Sequence, residues 1–405
     1  MEKEEMLYLQ KKLDAHRKRA LIRFKTYDQK TRDNTPSITT SSDLKQIFNA
    51  VSGWSTSAVD KLADRLIFRE FKNDDFNFEE IFGANNPDIF FDSAILSALI
   101  SSCSFVYIRQ VDGERIPTLE VIEGTNATGI IDPTTGLLKE GYAVLERDAE
   151  KKPTLEAFFE PGLTTFYKNG EKEKSIKNTA PAPLLVPIIH RPDPVRPFGR
   201  SRITRAAESY QKLAQRTLER SDVTAGFYSF PQKYATGIDP YVKIDKWKAT
   251  ISTFLTFSKD SEGESPKIGQ FTTSSMAPFL DQVRLAASLF AGETGLTMDD
   301  LGFVSDNPSS AESIKAAHEN LRLAARKAQR CFGSGFVNVG YLAACIRDGM
   351  VFKRSAFHRV KPTWYPIFEA DASTMNLIGD GAIKMNQAIP GYLDKDKINE
   401  LTGMD

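Results

Sequence analysis

Residues Gly295–Glu312 read GLTMDDLGFVSDNPSSAE and contain the most informative structural signals in the chain. Asn307-Pro308 blocks the continuation of a helix, because the residue before a proline is pushed out of the α region. Ser309 and Glu312 have the S-x-x-E spacing of a capping box, which marks the start of a helix. The stretch therefore predicts a loop followed by a new helix.

Helical patterns lie on both sides of this loop. Residues 278–290 predict a helix that ends at Gly292, and an alanine-rich pattern predicts a long helix from about Ser310 to Cys331. Further upstream, residues 201–222 (SRITRAAESYQKLAQRTLERSD) contain neither glycine nor proline, so they predict one uninterrupted helix. Helices of this kind dominate the second half of the chain.

The first half combines helices with short strands. Residues 1–30 and residues 43–66 have helical patterns. Residues 93–108 (SAILSALISSCSFVYI) predict a buried helix that runs into a strand, since they fall about two residues short of the ~18 needed to cross a bilayer. Residues 116–191 contain β-branched and aromatic runs separated by turn formers, which predict a meander.

The sequence also contains two turn signals and several short helical and strand-like patterns. Asp132–Gly136 and Lys168–Gly170 are typical hairpin turns. Residues 223–277 predict a mixed segment, with a strand-like run at 227–235 and a short helix at 243–253. Near the end of the chain, a strand-like KPTWYPIF precedes two short helical stretches at 374–387 and 395–401. The fold class predicted from this order is α+β.

The composition limits the electrostatic role of the chain. The 405 residues include 53 Lys and Arg and 53 Asp and Glu, so no bulk positive charge attracts DNA. Contacts with nucleic acid would have to come from local stripes of charge. Cys103, Cys331 and Cys345 are too few and too scattered for a disulfide framework, which favours a reducing compartment. The charged amino terminus predicts no signal peptide.

A search for catalytic motifs favours a non-enzymatic protein. The chain has no G-x-x-x-x-G-K-[ST] phosphate loop and no G-x-S-x-G nucleophile motif. The histidines lie far apart, at His16, His190, His318 and His358. Asp299-Asp300 could bind a cation, but acidic residues at a helix end or in a loop are the more common explanation. We expect no metal and no cofactor.

Two of the predicted helices have basic stripes. At about 100° per residue, Arg205, Lys212 and Arg216 fall within about 40° of one another, with Arg202 and Arg220 at the ends of the stripe. A solvated face of an amphipathic helix would give the same pattern.

The downstream helix has the same spacing of basic residues. Lys315, Arg322 and Arg326 share a stripe that Glu319 interrupts. Taken alone, neither stripe distinguishes an ordinary solvated face from a nucleic-acid contact.

Residues Gly295–Glu312 resemble a segment of the portal proteins of tailed bacteriophages of the siphovirus type. In that family the segment contains the loop before the tunnel helix. Residues 197–222 (PFGRSRITRAAESYQKLAQRTLERSD) are similar to the turn that opens the first stem helix of that family. Residues 92–108 resemble its wing, and residues 379–405 (GDGAIKMNQAIPGYLDKDKINELTGMD) resemble its carboxyl terminus. The resemblance is strong around residues 200–335 and weaker over the first 90 residues.

The resemblance implies the α+β portal fold, divided into regions that assemble as a ring. The implied regions are a wing (1–200), a first stem helix (201–222), a clip (223–277), a second stem helix (278–294), a tunnel loop and tunnel helix (295–332), a return to the wing (333–369) and a short helical crown (370–405). The crown is shorter than the long carboxyl-terminal barrel of some family members.

The resemblance also implies a functional surface. The implied tunnel loop consists of Val304, Ser305, Asp306, Asn307, Pro308 and Ser309. The candidate lumen-facing basic residues are Lys315, Arg322, Arg326, Arg205, Lys212 and Arg216. Double-stranded DNA would pass these residues without sequence-specific contacts.

A portal subunit would be a structural protein of the virion. The resemblance implies a ring of about 12 copies at one capsid vertex, assembled in the host cytoplasm and used for genome packaging, retention and ejection. It implies docking of the terminase large subunit and of a head–tail connector, contacts with the major capsid and scaffold proteins, and no membrane partner.

Two alternatives remain open on the sequence. A nuclease-like DNA-processing enzyme or its regulatory subunit would be favoured by metal-dependent cleavage, and the missing ligand clusters argue against it. A head or neck protein that never contacts DNA would be distinguished by the diameter of its ring.

Overall fold

The computed structural model describes residues 2–30, 50–229, 233–236, 267–270, 275–303, 316–368 and 372–402. The chain forms two compact units. Unit one contains residues 1–31, 53–207 and 293–405, and unit two contains residues 32–52 and 208–292.

The described residues alternate between helices and short strands. The helices are α1 (Glu2–Tyr27), α2 (Trp54–Ala63), α3 (Phe78–Gly83), α4 (Pro87–Ser101), α5 (Arg205–Ser229), α6 (Ala277–Thr294), α7 (Glu319–Arg347), α8 (Ala372–Ala388) and α9 (Lys395–Thr402). The strands are β1 (Phe68–Lys72), β2 (Cys103–Arg109), β3 (Thr118–Glu123), β4 (Ala127–Ile131), β5 (Leu138–Arg147), β6 (Pro153–Glu160), β7 (Leu163–Lys168), β8 (Glu171–Lys177), β9 (Leu185–Ile189), β10 (Lys233–Thr236), β11 (Lys267–Gln270) and β12 (Lys361–Trp364). Short 3-10 helices lie at Asp299–Leu301 and Arg354–Arg359. This order confirms the α+β class.

The sheets of unit one are antiparallel. Strands β4 to β8 form a five-stranded meander in chain order, and β2 lies between β3 and β9 in a second sheet. Both predicted hairpin turns are confirmed, since Asp132–Gly136 joins β4 to β5 and Asn169-Gly170 joins β7 to β8. Asp132 stabilises the first turn because its carboxylate accepts hydrogen bonds from the Thr134 N–H and the Thr135 hydroxyl. The predicted meander is therefore confirmed for β4 to β8, whereas β3 and β9, which lie in the same predicted range, belong to the second sheet.

The amphipathic pattern of α1 matches its packing. Leu9 and Leu13 are almost fully buried, in a cluster with Tyr142 and Phe158 of the five-stranded sheet. The side-chain amide of Gln10 donates a hydrogen bond of 3.0 Å to the carboxylate of Glu156 on the same sheet. One face of α1 therefore covers the sheet, and most of its charged residues are exposed, although Lys12 is half-buried and donates to the Gly129 carbonyl oxygen of β4.

An aromatic core links the first and last parts of unit one. The Phe68 ring of β1 stacks on Phe91 of α4 at 4.0 Å and meets the edge of Trp364 of β12 at 5.5 Å. Phe336 of α7 packs edge-on against Phe91 at 4.7 Å and is fully buried. Strands β1 and β12 pair antiparallel beside this cluster. Residues far apart in sequence therefore pack together into one core.

The end predicted for the long helix near Cys331 is wrong, because α7 continues to Arg347. Gly333 and Gly335 lie just after the predicted end, and glycine costs roughly 1 kcal/mol relative to alanine inside a helix. At Gly333, however, a Cβ would lie 2.5 Å from the Pro362 ring, and at Gly340 it would lie 2.4 Å from the Phe78 ring. The glycines thus allow α3 and β12 to pack directly against the helix backbone.

Other helix ends also differ from the sequence prediction. Within residues 50–66, only Trp54–Ala63 is helical. The strand-like run at 227–235 begins inside α5, which reaches Ser229, and strand β10 starts only at Lys233. The buried helix that runs into a strand is confirmed by α4 and β2, and the two carboxyl-terminal helices are confirmed by α8 and α9.

In unit two, the described part comprises most of α5 and α6 and the antiparallel pair of β10 and β11. The helix predicted at residues 278–290 is confirmed by α6. The predicted helix at 243–253, the capping box at Ser309 and Glu312, and the loop 304–309 lie outside the described residues.

Candidate nucleic-acid interface

The basic stripe of α5 lies on the outer side of that helix. Arg205 and Lys212 are exposed and Arg216 is half-buried, whereas Ala207 and Ala214, on the opposite side, are buried. The Nε of Arg216 donates to the Lys212 carbonyl oxygen at 3.3 Å. The three basic side chains therefore share a face that solvent can reach.

Helix α5 begins at Arg205 and not at residue 201, so the predicted start is wrong. Thr204 caps the helix, because its Oγ1 accepts a hydrogen bond of 3.1 Å from the Ala207 N–H. Ser201 and Ile203 are buried, and the Ile203 N–H donates to the Ser201 Oγ at 2.9 Å. These buried contacts hold the preceding residues in a non-helical conformation.

Arg202, which was expected at the end of the basic stripe, is instead a buried anchor with 6% exposure. Its Nε donates to the Ala58 carbonyl oxygen at 3.1 Å, and its Nη2 donates to the carbonyl oxygen of Thr294. Burial lowers the pKa of Arg202 to about 10, so the guanidinium stays charged at neutral pH. Arg202 therefore joins separate parts of unit one and belongs to no external surface.

The residues just before α5 reinforce this anchor. The Thr204 hydroxyl donates to the Glu293 carboxylate at 2.7 Å. His190 is buried, and burial lowers its pKa to about 3, so the imidazole is neutral. Its Nδ1 donates to the Arg200 carbonyl oxygen at 2.7 Å, because a carbonyl can only accept. His190 thus fixes the strand end from which the chain turns toward α5.

Not every basic residue of the α7 stripe is free of an acidic partner. Arg322 forms a two-pronged ion pair with Glu319, with N–O distances of 2.7 and 2.6 Å, and so contributes little unpaired charge. Arg326 is exposed and lines a groove beside the 3-10 helix at residues 354–359. Lys315 and the predicted tunnel loop, Val304–Ser309, lie outside the described residues. Of this stripe, Arg326 alone offers an unpaired cation among the described residues.

The acidic pair at Asp299-Asp300 stabilises a turn. The Asp300 carboxylate forms an ion pair of 2.9 Å with Lys61 of α2 and accepts hydrogen bonds from the backbone and hydroxyl of Thr297. Burial raises the pKa of Asp300, but the hydrogen bonds from Thr297 and Lys61 outweigh it and bring the pKa below its ordinary value. Within the described ranges, no three His, Cys, Asp or Glu side chains are grouped to hold a metal ion.

Arg202 was wrongly assigned to the basic stripe, and three basic residues beside the groove, Arg330, Arg354 and Lys361, were not predicted. Arg202 has no sequence signal that separates a buried arginine from an exposed one. Arg330, in contrast, lies one helical turn after Arg326, and the i, i+4 spacing could have extended that stripe. Arg354 and Lys361 lie beside the same groove but come from a different segment, so only the fold brings them there.

These observations define an α+β protein with a basic helix face and, in the part of the chain that the structure describes, no grouped metal ligands. No helix among those residues has both the length and the apolar character needed to cross a membrane.

No family model matches the chain, but sequence comparison finds two relatives that are both phage portal proteins. The chain is 26% identical over 346 residues to the portal protein of Mycobacterium phage L5, covering 80% of this chain and 70% of the relative. It is 27% identical over 347 residues to the portal protein of Mycobacterium phage D29, with the same coverage. The resemblance to tailed-phage portal proteins is confirmed.

Solved structures of gene transfer agent particles also match over most of the chain. A chain from the virion of the native particle has a TM-score of 0.46 and 12% identity, covering 92% of this chain and 96% of that one. A chain from the neck of the native particle, computed with C12 symmetry, has the same TM-score and identity and covers 95% of this chain and 98% of that one.

Proposed function

We propose that this chain is a portal subunit, a non-enzymatic virion protein that forms a closed ring at one capsid vertex. The ring would surround the channel through which double-stranded DNA is packaged, retained and ejected. The observation that carries the proposal is the similarity to two phage portal proteins over 80% of the chain. Self-association through heterologous contacts closes into a ring when the rotation between subunits is a simple fraction of a turn.

The electrostatics of the chain support a channel in which DNA slides. The chain has no net charge, yet α5 has exposed basic residues on one face. Each neutralised phosphate adds roughly −0.9 to the slope of log K against log salt, so many tight contacts would stall a moving duplex. A ring repeats every basic residue in each copy, and a few residues per chain then form a complete belt.

Further partners follow from the implied regions. Residues 223–277 are the proposed docking surface for the terminase large subunit and the head–tail connector. Contacts with the major capsid and scaffold proteins are also proposed. Assembly would take place in the host cytoplasm before the ring enters the virion.

The purified chain is expected to form closed rings of about a dozen copies. Class-averaged electron micrographs, together with a native mass measurement at several salt concentrations, would give the copy number and the width of the hole. A hole too narrow for duplex DNA, or a monomeric mass at micromolar concentration, would contradict the proposal. A ring with a much wider hole would favour a neck protein that never contacts DNA.

Deletion of residues 304–308 is expected to leave ring assembly and capsid incorporation intact while most particles lose their DNA. The loop has small side chains with only Asp306 charged, so the copies could crowd around a duplex without gripping it. The measurement is the DNA content of purified particles. Reversal of one charge with Lys315→Glu is the milder comparison, because it alters friction in the channel and not its shape. Equal DNA content in deleted and unmodified particles would refute the role of the loop.

A further inference from the structure

A groove of about 940 Å³ lies in unit one, between α7 and the segment that runs from the 3-10 helix at Arg354–Arg359 into β12. We call it the basic groove. Its volume is within the range of about 300–1,000 Å³ that is typical of ligand sites. The groove is independent of the α5 stripe, and among the basic residues predicted from the sequence it includes only Arg326.

The charged side chains that line the basic groove are all of positive sign. Its lining includes the cationic side chains Arg326, Arg330, Arg354 and Lys361 and the titratable His358, and no Asp or Glu. The side chains of Arg326, Arg330 and Lys361 are exposed and form no hydrogen bond or ion pair with the described residues. Arg354 donates from Nη2 to the Thr135 carbonyl oxygen at 2.6 Å and to the Asn338 Oδ1 at 3.0 Å. The groove therefore concentrates positive charge that nothing in its lining neutralises.

The aromatic residues of the groove are already packed against other rings. Tyr341 meets Phe357 edge-on at 4.9 Å, and its hydroxyl donates to the Phe352 carbonyl oxygen at 3.1 Å. Trp364 packs against Phe68 and Phe336 of the aromatic core. Single-stranded nucleic acids gain much of their affinity from bases that stack on open aromatic faces. These rings have few open faces, so a polypeptide suits the groove better than bases do.

Strand β12 borders the groove but is a poor template for another strand. It pairs with β1 on one side, and Pro362 has no N–H to donate to a further strand. A bound polypeptide would therefore be recognised by its side chains. Guanidinium groups bind carboxylates through two parallel hydrogen bonds, which gives arginine clusters a preference for acidic segments.

We propose that the basic groove binds an acidic polypeptide segment of a partner protein, with its carboxylates on Arg326, Arg330 and Lys361 and an apolar side chain against Val337 and Pro362. Both apolar residues line the groove beside these cations. This binding does not require a ring, so its test is separate from the test of the portal function.

The test uses the purified full chain and a short fluorescein-labelled peptide that alternates glutamate with leucine. Fluorescence anisotropy at about 0.1 M salt is expected to show saturable binding, and a peptide with glutamine in place of glutamate is expected not to bind. In the double variant Arg330→Gln, Lys361→Gln, Kd is expected to rise at least about tenfold, a change of about 1.4 kcal/mol. The variant should remain folded, because both side chains are exposed.

The matched control is the double variant Lys11→Gln, Lys18→Gln, which removes two exposed charges from α1, outside the groove. Its Kd for the acidic peptide is expected to stay within about twofold of that of the unmodified chain, because neither lysine lines the groove and salt screens exposed charges. An equal loss in both double variants would mean non-specific attraction and would overturn the proposal. Absence of binding would also overturn it. Tighter binding of a single-stranded oligonucleotide, lost in the groove variant, would assign the groove to nucleic acid instead.

Discussion

Gly199→Ala is expected to lower the free energy of unfolding of unit one by about 3 kcal/mol or more, from strained backbone together with overpacking. Gly199 has a φ of +72°, a region that side chains with a Cβ rarely adopt, and an added Cβ would lie 2.1 Å from the His190 carbonyl oxygen. The Arg200 N–H donates to that same oxygen at 2.8 Å, so the two segments cannot separate without losing a buried contact. Urea denaturation followed by tryptophan fluorescence would measure the loss.

Gly170→Ala is the matched control for this substitution. Gly170 also has a positive φ, +84°, but no atom lies within 4 Å of the position of an added Cβ. Only the cost of holding a residue with a Cβ in the left-handed region remains, so we expect a loss of about 1 kcal/mol. Equal losses at the two glycines would show that the contact with His190 contributes nothing, contrary to this expectation.

Phe336→Ala is expected to destabilise unit one by about 3–5 kcal/mol, the range for removing a large aromatic side chain from a core. Phe336 is fully buried and lies 4.7 Å from Phe91 and 6.5 Å from Trp364, measured between ring centroids. The cavity would open beside Trp364, so the fluorescence of this tryptophan should change together with the stability.

Phe368→Ala removes the same side chain from a site that is 39% exposed. There we expect a smaller loss, of about 1–2 kcal/mol, because part of this side chain is already in contact with water. A similar loss for the two substitutions would mean that the aromatic core does not hold the first and last parts of unit one together.

The elements that sequence reasoning predicted well are those set by local chemistry. The Asp132–Gly136 turn closes through its own carboxylate, and the amphipathic pattern of α1 directly reports the face that covers the sheet. The α5 stripe was predicted for the same reason, since helical periodicity alone places Lys212 opposite Ala214. The division of the chain into portal regions, and the facing of these residues toward a channel, remain predictions.

The errors came from contacts between residues distant in sequence. Gly333 and Gly335 signal a helix break locally, but Pro362 and Ile188 occupy the space that side chains there would need. Arg202 fits a basic helix face by spacing, yet its hydrogen bonds to Ala58 and Thr294 bury it. The partners of Arg202 are more than 90 residues away, and no local pattern contains them.

The contacts of Arg202 and Thr204 have a consequence for how this architecture can vary. The chain leaves unit one just after Thr204 and returns at Glu293, and the two side chains are joined by a hydrogen bond of 2.7 Å. Residues 208–292 are thus an insertion whose ends are clamped together by unit one itself. Insertions at adjacent points perturb their host little, and the cost of closing a loop rises only slowly with its length. Evolution, or a protein engineer, could therefore change the length of this segment at little cost to the fold of unit one.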